Sequence, residues 1–102
     1  MNLYQVRFTI DAENDLLRLY DFLLQQSIDV HLAKQALTNI QQAIQLLEKF
    51  PFSCRKAESN NPYLRELLIP FGESGYVALF EIEANLIVTI LAVRHQRESD
   101  YH

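Results

Sequence analysis

The chain has one cysteine, two glycines and three prolines in 102 residues. A single cysteine, Cys54, excludes an internal disulfide. Its neighbours Arg55 and Lys56 would favour the thiolate only modestly, so it reads as an inert thiol. The only glycines, Gly72 and Gly75, fall in one apparent turn, which excludes a glycine-rich phosphate loop. No GxSxG elbow gives Ser74 or Cys54 the context of a nucleophile. His31, His95 and His102 lack ligand spacing, and there is no HExxH and no paired cysteine. Asp100 and His102 could flank an ion, but at a chain end that tends to fray, so neither metal nor cofactor is expected.

Long apolar runs are also missing. Charge interrupts each apolar stretch before it could span a bilayer, and Met1-Asn2-Leu3-Tyr4-Gln5 has neither the basic region nor the apolar segment of a signal peptide. The expectation is a cytoplasmic protein without membrane contact. Basic residues are outnumbered, 9 against 13 acidic for a net charge of -4. That balance opposes broad attraction to nucleic acid while leaving room for a local basic patch.

What is present is enough apolar material, 49% of residues, for one core and one domain over residues 1–102. Tyr4, Val6 and Phe8 alternate with Gln5 and Arg7, the period of a half-buried strand over residues 3–8. Thr9 is a suitable N-cap, and Asp11 and Glu13 suit the positive end of a helix dipole. Ala12, Leu16, Leu19 or Tyr20, and Leu23 then recur at helical spacing, ending near Gln26. The acidic side of this helix, Asp11, Glu13, Asp15 and Asp21, reads as a solvated face. Asp29 can cap a second helix whose apolar series runs from Leu32 to Leu47 and must stop before Pro51. So short a link makes the two helices antiparallel neighbours. Residues 53–62 read as a loop.

Strand periodicity returns over 63–69, 75–83 and 86–93, with short turns at 70–74 and 84–85 that make these three strands antiparallel. The expected fold is α+β: an N-terminal strand, an antiparallel two-helix hairpin, then three antiparallel strands in one sheet packed on the helices. The last strand has almost no polar alternation, so both of its faces should be covered. A single helical hairpin covers only one. The other is closed by sheet curvature and the tail, or it is an apolar surface for a partner.

The last strand runs directly into Arg94-His95-Gln96-Arg97-Glu98-Ser99-Asp100-Tyr101-His102. Arg65, Arg94, His95, Arg97 and Tyr101 all lie near strand ends. If the sheet brings them together, they could bind a partner, or cleave RNA without a metal, with Arg holding phosphate and His or Tyr moving protons. The plain alternative is a solvated tail, with Arg65 paired to Glu66 or Glu81. An exposed Arg94 would contribute little to folding.

The order of elements carries specific wording: Val6-Arg7-Phe8-Thr9, Ala12-Glu13-Asn14-Asp15-Leu16, Tyr20-Asp21-Phe22-Leu23, Ala43-Ile44-Gln45-Leu46-Leu47 and Phe50-Pro51. Leu64-Arg65-Glu66-Leu67, Gly75 to Ile82 and the closing Val93-Arg94-His95-Gln96-Arg97 complete it. The whole resembles the RelE/ParE toxins of bacterial type II toxin-antitoxin systems. The resemblance implies a toxin held inactive by a cognate antitoxin. It leaves two targets: DNA gyrase, poisoned by protein binding in the ParE-like branch, or ribosome-bound mRNA, cut by RelE-like nucleases. A toxin that has lost activity and persists as an antitoxin-binding module is a third outcome. Arg65 matches the family's strand arginine, and Arg94, His95, Arg97 and Tyr101 match its closing motif. These would be partner-binding residues in a gyrase inhibitor and catalytic ones in an endoribonuclease. The long hairpin ending in Phe50-Pro51 and the Arg65-Glu66-Leu67 strand look more like the ParE-like branch, and the acidic balance lowers the nuclease reading.

Overall fold

The structure, a computed structural model, describes residues 3–26 and 29–98. Strand β1 (Gln5–Phe8) leads into helix α1 (Ile10–Gln26), and helix α2 (Val30–Gln45) comes next. The Thr9 hydroxyl accepts the Ala12 N–H (3.1 Å) and Asp29 accepts the His31 N–H (2.8 Å), so both expected N-caps are made. Helix α2 tightens into a 3-10 turn at 46–48 before Pro51 opens a second one at 51–53.

The loop expected over 53–62 contains a two-residue strand, β2 (Arg55–Lys56), antiparallel to β3 (Leu64–Phe71). So brief a strand leaves no periodicity to read. Strand β4 (Ser74–Glu83) and strand β5 (Ile87–His95) complete an antiparallel meander. The expected 70–74 turn shrinks to Gly72-Glu73, because Pro70 stays in β3 opposite Gly75. Beyond Glu66, β3 is a sheet edge, where a missing N–H is tolerated. Gly75 is required by close approach, since a Cβ there would strike the Ile69 carbonyl. The second turn also shifts: Asn85 and Leu86 both have positive φ (64° and 58°), so Leu86 belongs to the turn rather than to the strand.

Strand order is β1-β5-β4-β3-β2, and β1 joins β5 in parallel. The helical hairpin covers one face. Ala12, Leu19, Ala36, Ile40, Ile44 and Leu47 meet Ile69, Tyr76, Ala78, Phe80, Ile82, Val88, Ile90 and Val93 in one core. On the opposite face Val77 (2% exposed) and Ala92 (1%) are also buried, while Leu68 on the edge strand stays open. The ion pairs Arg55–Glu66 (2.9 Å) and Arg7–Glu83 (3.1 Å) join residues of that second face. Large exposed apolar side chains gather elsewhere, as Ile10, Leu17 and Phe22 on α1 and as Phe50, Phe52 and Tyr63 around the 3-10 turns.

Candidate functional site

Strand β5 outruns its parallel neighbour. The β1 ladder ends where Phe8 meets Ile90, so the backbone of β5 beyond that point has lost a strand partner. Helix α1 and its N-cap residue supply one with polar side chains. The Thr9 hydroxyl lies 3.2 Å from the carbonyls of Ile90 and Leu91, and an Asp15 carboxylate oxygen accepts the Val93 N–H at 2.8 Å. Arg18 reaches the Val93 carbonyl at 3.4 Å. Asp15, expected on a solvated face, is therefore buried (5% exposed). The physical reason is that a strand N–H at this depth must find an acceptor. A β-bulge at Leu91, between the Leu79–Ala92 and Phe80–Ile90 pairs, sits at the same place.

From here the chain turns, and the turn is held from within. The Arg94 guanidinium donates to the carbonyls of His95 (3.2 Å), Gln96 (3.2 Å) and Glu98 (2.7 Å). Glu98 accepts the His95 N–H (2.9 Å), and the Gln96 N–H reaches back to the Gly75 carbonyl (2.9 Å). Arg94 is thus a half-buried brace, not the exposed charge of little structural weight that its place after a strand implied.

His95 is fixed as well. Its ring stands edge-on to Tyr76 (5.5 Å, 90°), Nδ1 accepts the Arg97 N–H (3.1 Å), and Nε2 lies 3.0 Å from the Ser74 hydroxyl. With Nδ1 occupied as an acceptor, the neutral ring carries its proton on Nε2 and donates it to Ser74. A histidine in that tautomer cannot take a proton from Ser74, so the pair is not a nucleophile and its base. Burial pushes the Tyr76 phenol above its ordinary range. Arg97 is exposed, and its guanidinium makes no polar contact among the described residues. Tyr101 lies outside the described residues.

Arg65 does not join this group. It pairs with Phe80, whereas Arg94 pairs with Val77, two strands over and on the other sheet face, on the order of 14 Å away at ordinary strand spacings. Its guanidinium instead donates to the carbonyls of Pro62 (2.9 Å), Phe52 (3.0 Å) and Cys54 (2.9 Å), and lies 5.4 Å from the centre of the Phe52 ring. Glu66, its expected carboxylate partner, is bound by Arg55, and Glu81 accepts from Asn61 (3.0 Å). Arg65 thereby ties the 52–62 loop to the sheet. The Phe52–Tyr63 edge-on pair (6.2 Å) stands beside it. Burial raises the Cys54 thiol pKa, with Arg65 opposing, in keeping with an unreactive thiol.

Asp15, Arg18 and Glu98 organise this end of the sheet, and residue types alone did not single them out. In the structure β1 is much shorter than β5, which leaves strand backbone for a helix to satisfy; the expected strands, 3–8 and 86–93, differ too little in length to signal it. Among the described residues no cluster of His, Cys, Asp and Glu could hold a metal ion, and no helix is long and apolar enough to cross a membrane.

Comparison with known proteins agrees with this architecture. Among solved structures, one described as the chromosomal ParDE TA system from P. aeruginosa superposes with a TM-score of 0.73 at 21% identity, covering 90% of this chain and 95% of that one. It is a likeness of fold. No curated protein sequence matches. A family model described as the ParE toxin of the type II toxin-antitoxin system parDE matches residues 6–100. With nearly every residue from β1 through the closing turn inside that match, the chain belongs to the ParE family of type II toxins, whose partner is a cognate antitoxin.

Proposed function

We propose that this toxin arrests growth in the cytoplasm by binding DNA gyrase as a protein ligand, not by cutting RNA. The closing turn would form the target surface: Arg97 and Tyr101 meet the target, Arg94 and His95 set the shape beneath them, and Arg65 holds the neighbouring loop. The observation that carries this reading is that three of the groups a metal-free nuclease would use, Arg65, Arg94 and His95, are engaged internally. Arg94 and Arg65 are each bonded to backbone carbonyls, and His95 sits between Tyr76, Ser74 and the Arg97 N–H. A phosphate-binding arginine must offer its N–H groups outward, and a general base must offer a bare nitrogen. The net charge of -4 also opposes approach to the dense phosphate of a ribosome.

The test is brief induction without antitoxin, with growth followed beside a DNA-damage reporter. Arrest with reporter activation is expected. Arrest with a silent reporter and cleaved ribosome-bound mRNA would replace this proposal with the endonuclease, and normal growth from a folded product would leave an antitoxin-binding module without toxicity.

A further inference from the structure

Arg18 is the point where helix α1 grips the chain beyond β5. Its guanidinium spans the Val93 carbonyl (3.4 Å) and both carboxylate oxygens of Glu98 (3.2 and 3.1 Å), with the buried Asp15 behind it (3.8 Å). Glu98 completes the contact from the other side, since the carboxylate that takes Arg18 also accepts the His95 N–H (2.9 Å). Arg97, with its guanidinium exposed, lies between these two anchors. Helix α1 is itself fixed in the core through Ala12 and Leu19.

We propose that Arg18 is a positioning residue: through Glu98 it sets the direction in which the 94–98 turn presents Arg97 to the target. The proposal rests on the closing turn being the target surface. Burial separates it from a role in stability. The Arg18 and Glu98 side chains are 46% and 37% exposed, and pairs this open contribute little to folding. They suffice to choose among orientations of a short turn, because those alternatives differ by equally small energies. The bonds within the turn fix its shape, and the Arg18–Glu98 pair fixes that shape relative to the helix.

Arrest potency is titrated with inducer for the wild type, Arg18→Ala, Arg18→Lys, Glu98→Gln, Arg97→Ala and the Arg18→Ala/Arg97→Ala double variant. Melting and amide exchange are measured on each purified chain. Arg18→Ala is expected to melt close to wild type, to exchange faster at the Arg97 and Glu98 amides, and to lose up to about fivefold in potency. Arg18→Lys should restore most of the loss, because an ammonium still reaches Glu98. Arg97→Ala should cost little more once Arg18 is gone. Undiminished potency in Arg18→Ala, or full additivity with Arg97→Ala, would overturn the proposal. If Arg18→Ala fails to fold, Glu98→Gln replaces it, since the amide oxygen still accepts the His95 N–H while the charge is lost; wild-type potency in that variant overturns the proposal equally. Wild-type arrest without a damage signal would sink gyrase as target and leave the potency comparison valid. A wild type that does not arrest growth removes both.

Discussion

The two halves of β5 are held on the same side by different chemistry. From Ile87 to Ile90 the neighbour is β1, and the contact is a parallel backbone ladder. Past Ile90 the neighbour is α1, and the contacts are three polar side chains, Thr9, Asp15 and Arg18, that take the place of a strand. A ladder needs only an extended backbone and tolerates many sequences. Side-chain surrogates need particular residues at particular helix positions. The first half is therefore robust to substitution, while the second depends above all on the buried Asp15 carboxylate and is the half that leads into the closing turn.

The comparison breaks most sharply at Asp15. Asp15→Ala strands the buried Val93 N–H and should cost about 2–4 kcal/mol of unfolding free energy in a denaturant titration. Asp15→Asn keeps an acceptor oxygen and should recover at least half of that loss. Equal losses in the two variants would mean that the charge beside Arg18, and not the N–H, is what matters.

pH sharpens the comparison with smaller effects. In the first half, Glu83 accepts from Thr89 and from Arg7, and these bonds hold its carboxyl below the usual range. A group with a lowered folded pKa adds stability above its unfolded value and loses it as pH falls through the folded one. Acid should weaken this half, and Thr89→Val should flatten the acid limb of a melting-temperature profile. In the second half, burial raises Tyr76, so its contribution is complete below the ordinary tyrosine range and is lost as pH rises through that range to the folded value. Tyr76→Phe should flatten the alkaline limb and leave the acid limb alone. The smallest effect lies at the start of β5. Leu86 sits at φ 58°, so Leu86→Gly should relieve the left-handed backbone and raise stability by about 0.5–1 kcal/mol in the same titration, without favouring either half. A decrease would show that the leucine side chain contributes more than its backbone costs.

These contrasts also mark what could be read from residue order. The β1 alternation, the helical hairpin with its Thr9 and Asp29 caps, and the meander were legible because each is local, written in periods of two or 3.6 residues. Parallel pairing of β1 with β5 spans most of the chain and leaves no local trace. Asp15 shares helix spacing and charge with the exposed Asp11 and differs only in what lies across from it. Arg65 and Arg94 were legible as arginines near strand ends; that both would donate to carbonyls, one to a neighbouring loop and one to its own turn, depends on which backbone groups the fold leaves open. The convergence that a shared site would need is not met, because Arg65 and Arg94 lie two strands apart on opposite sheet faces.

The parallel placement of β1 also has a consequence for synthesis. Among the described residues β1 pairs with no strand except β5, so until residues 87–95 have left the ribosome the first strand has no strand partner and Asp15 lacks the Val93 N–H. Contacts so distant in sequence are completed late. The closing turn acquires its shape in the same step that finishes the sheet, so a partly made chain has neither an assembled core nor a target-binding surface.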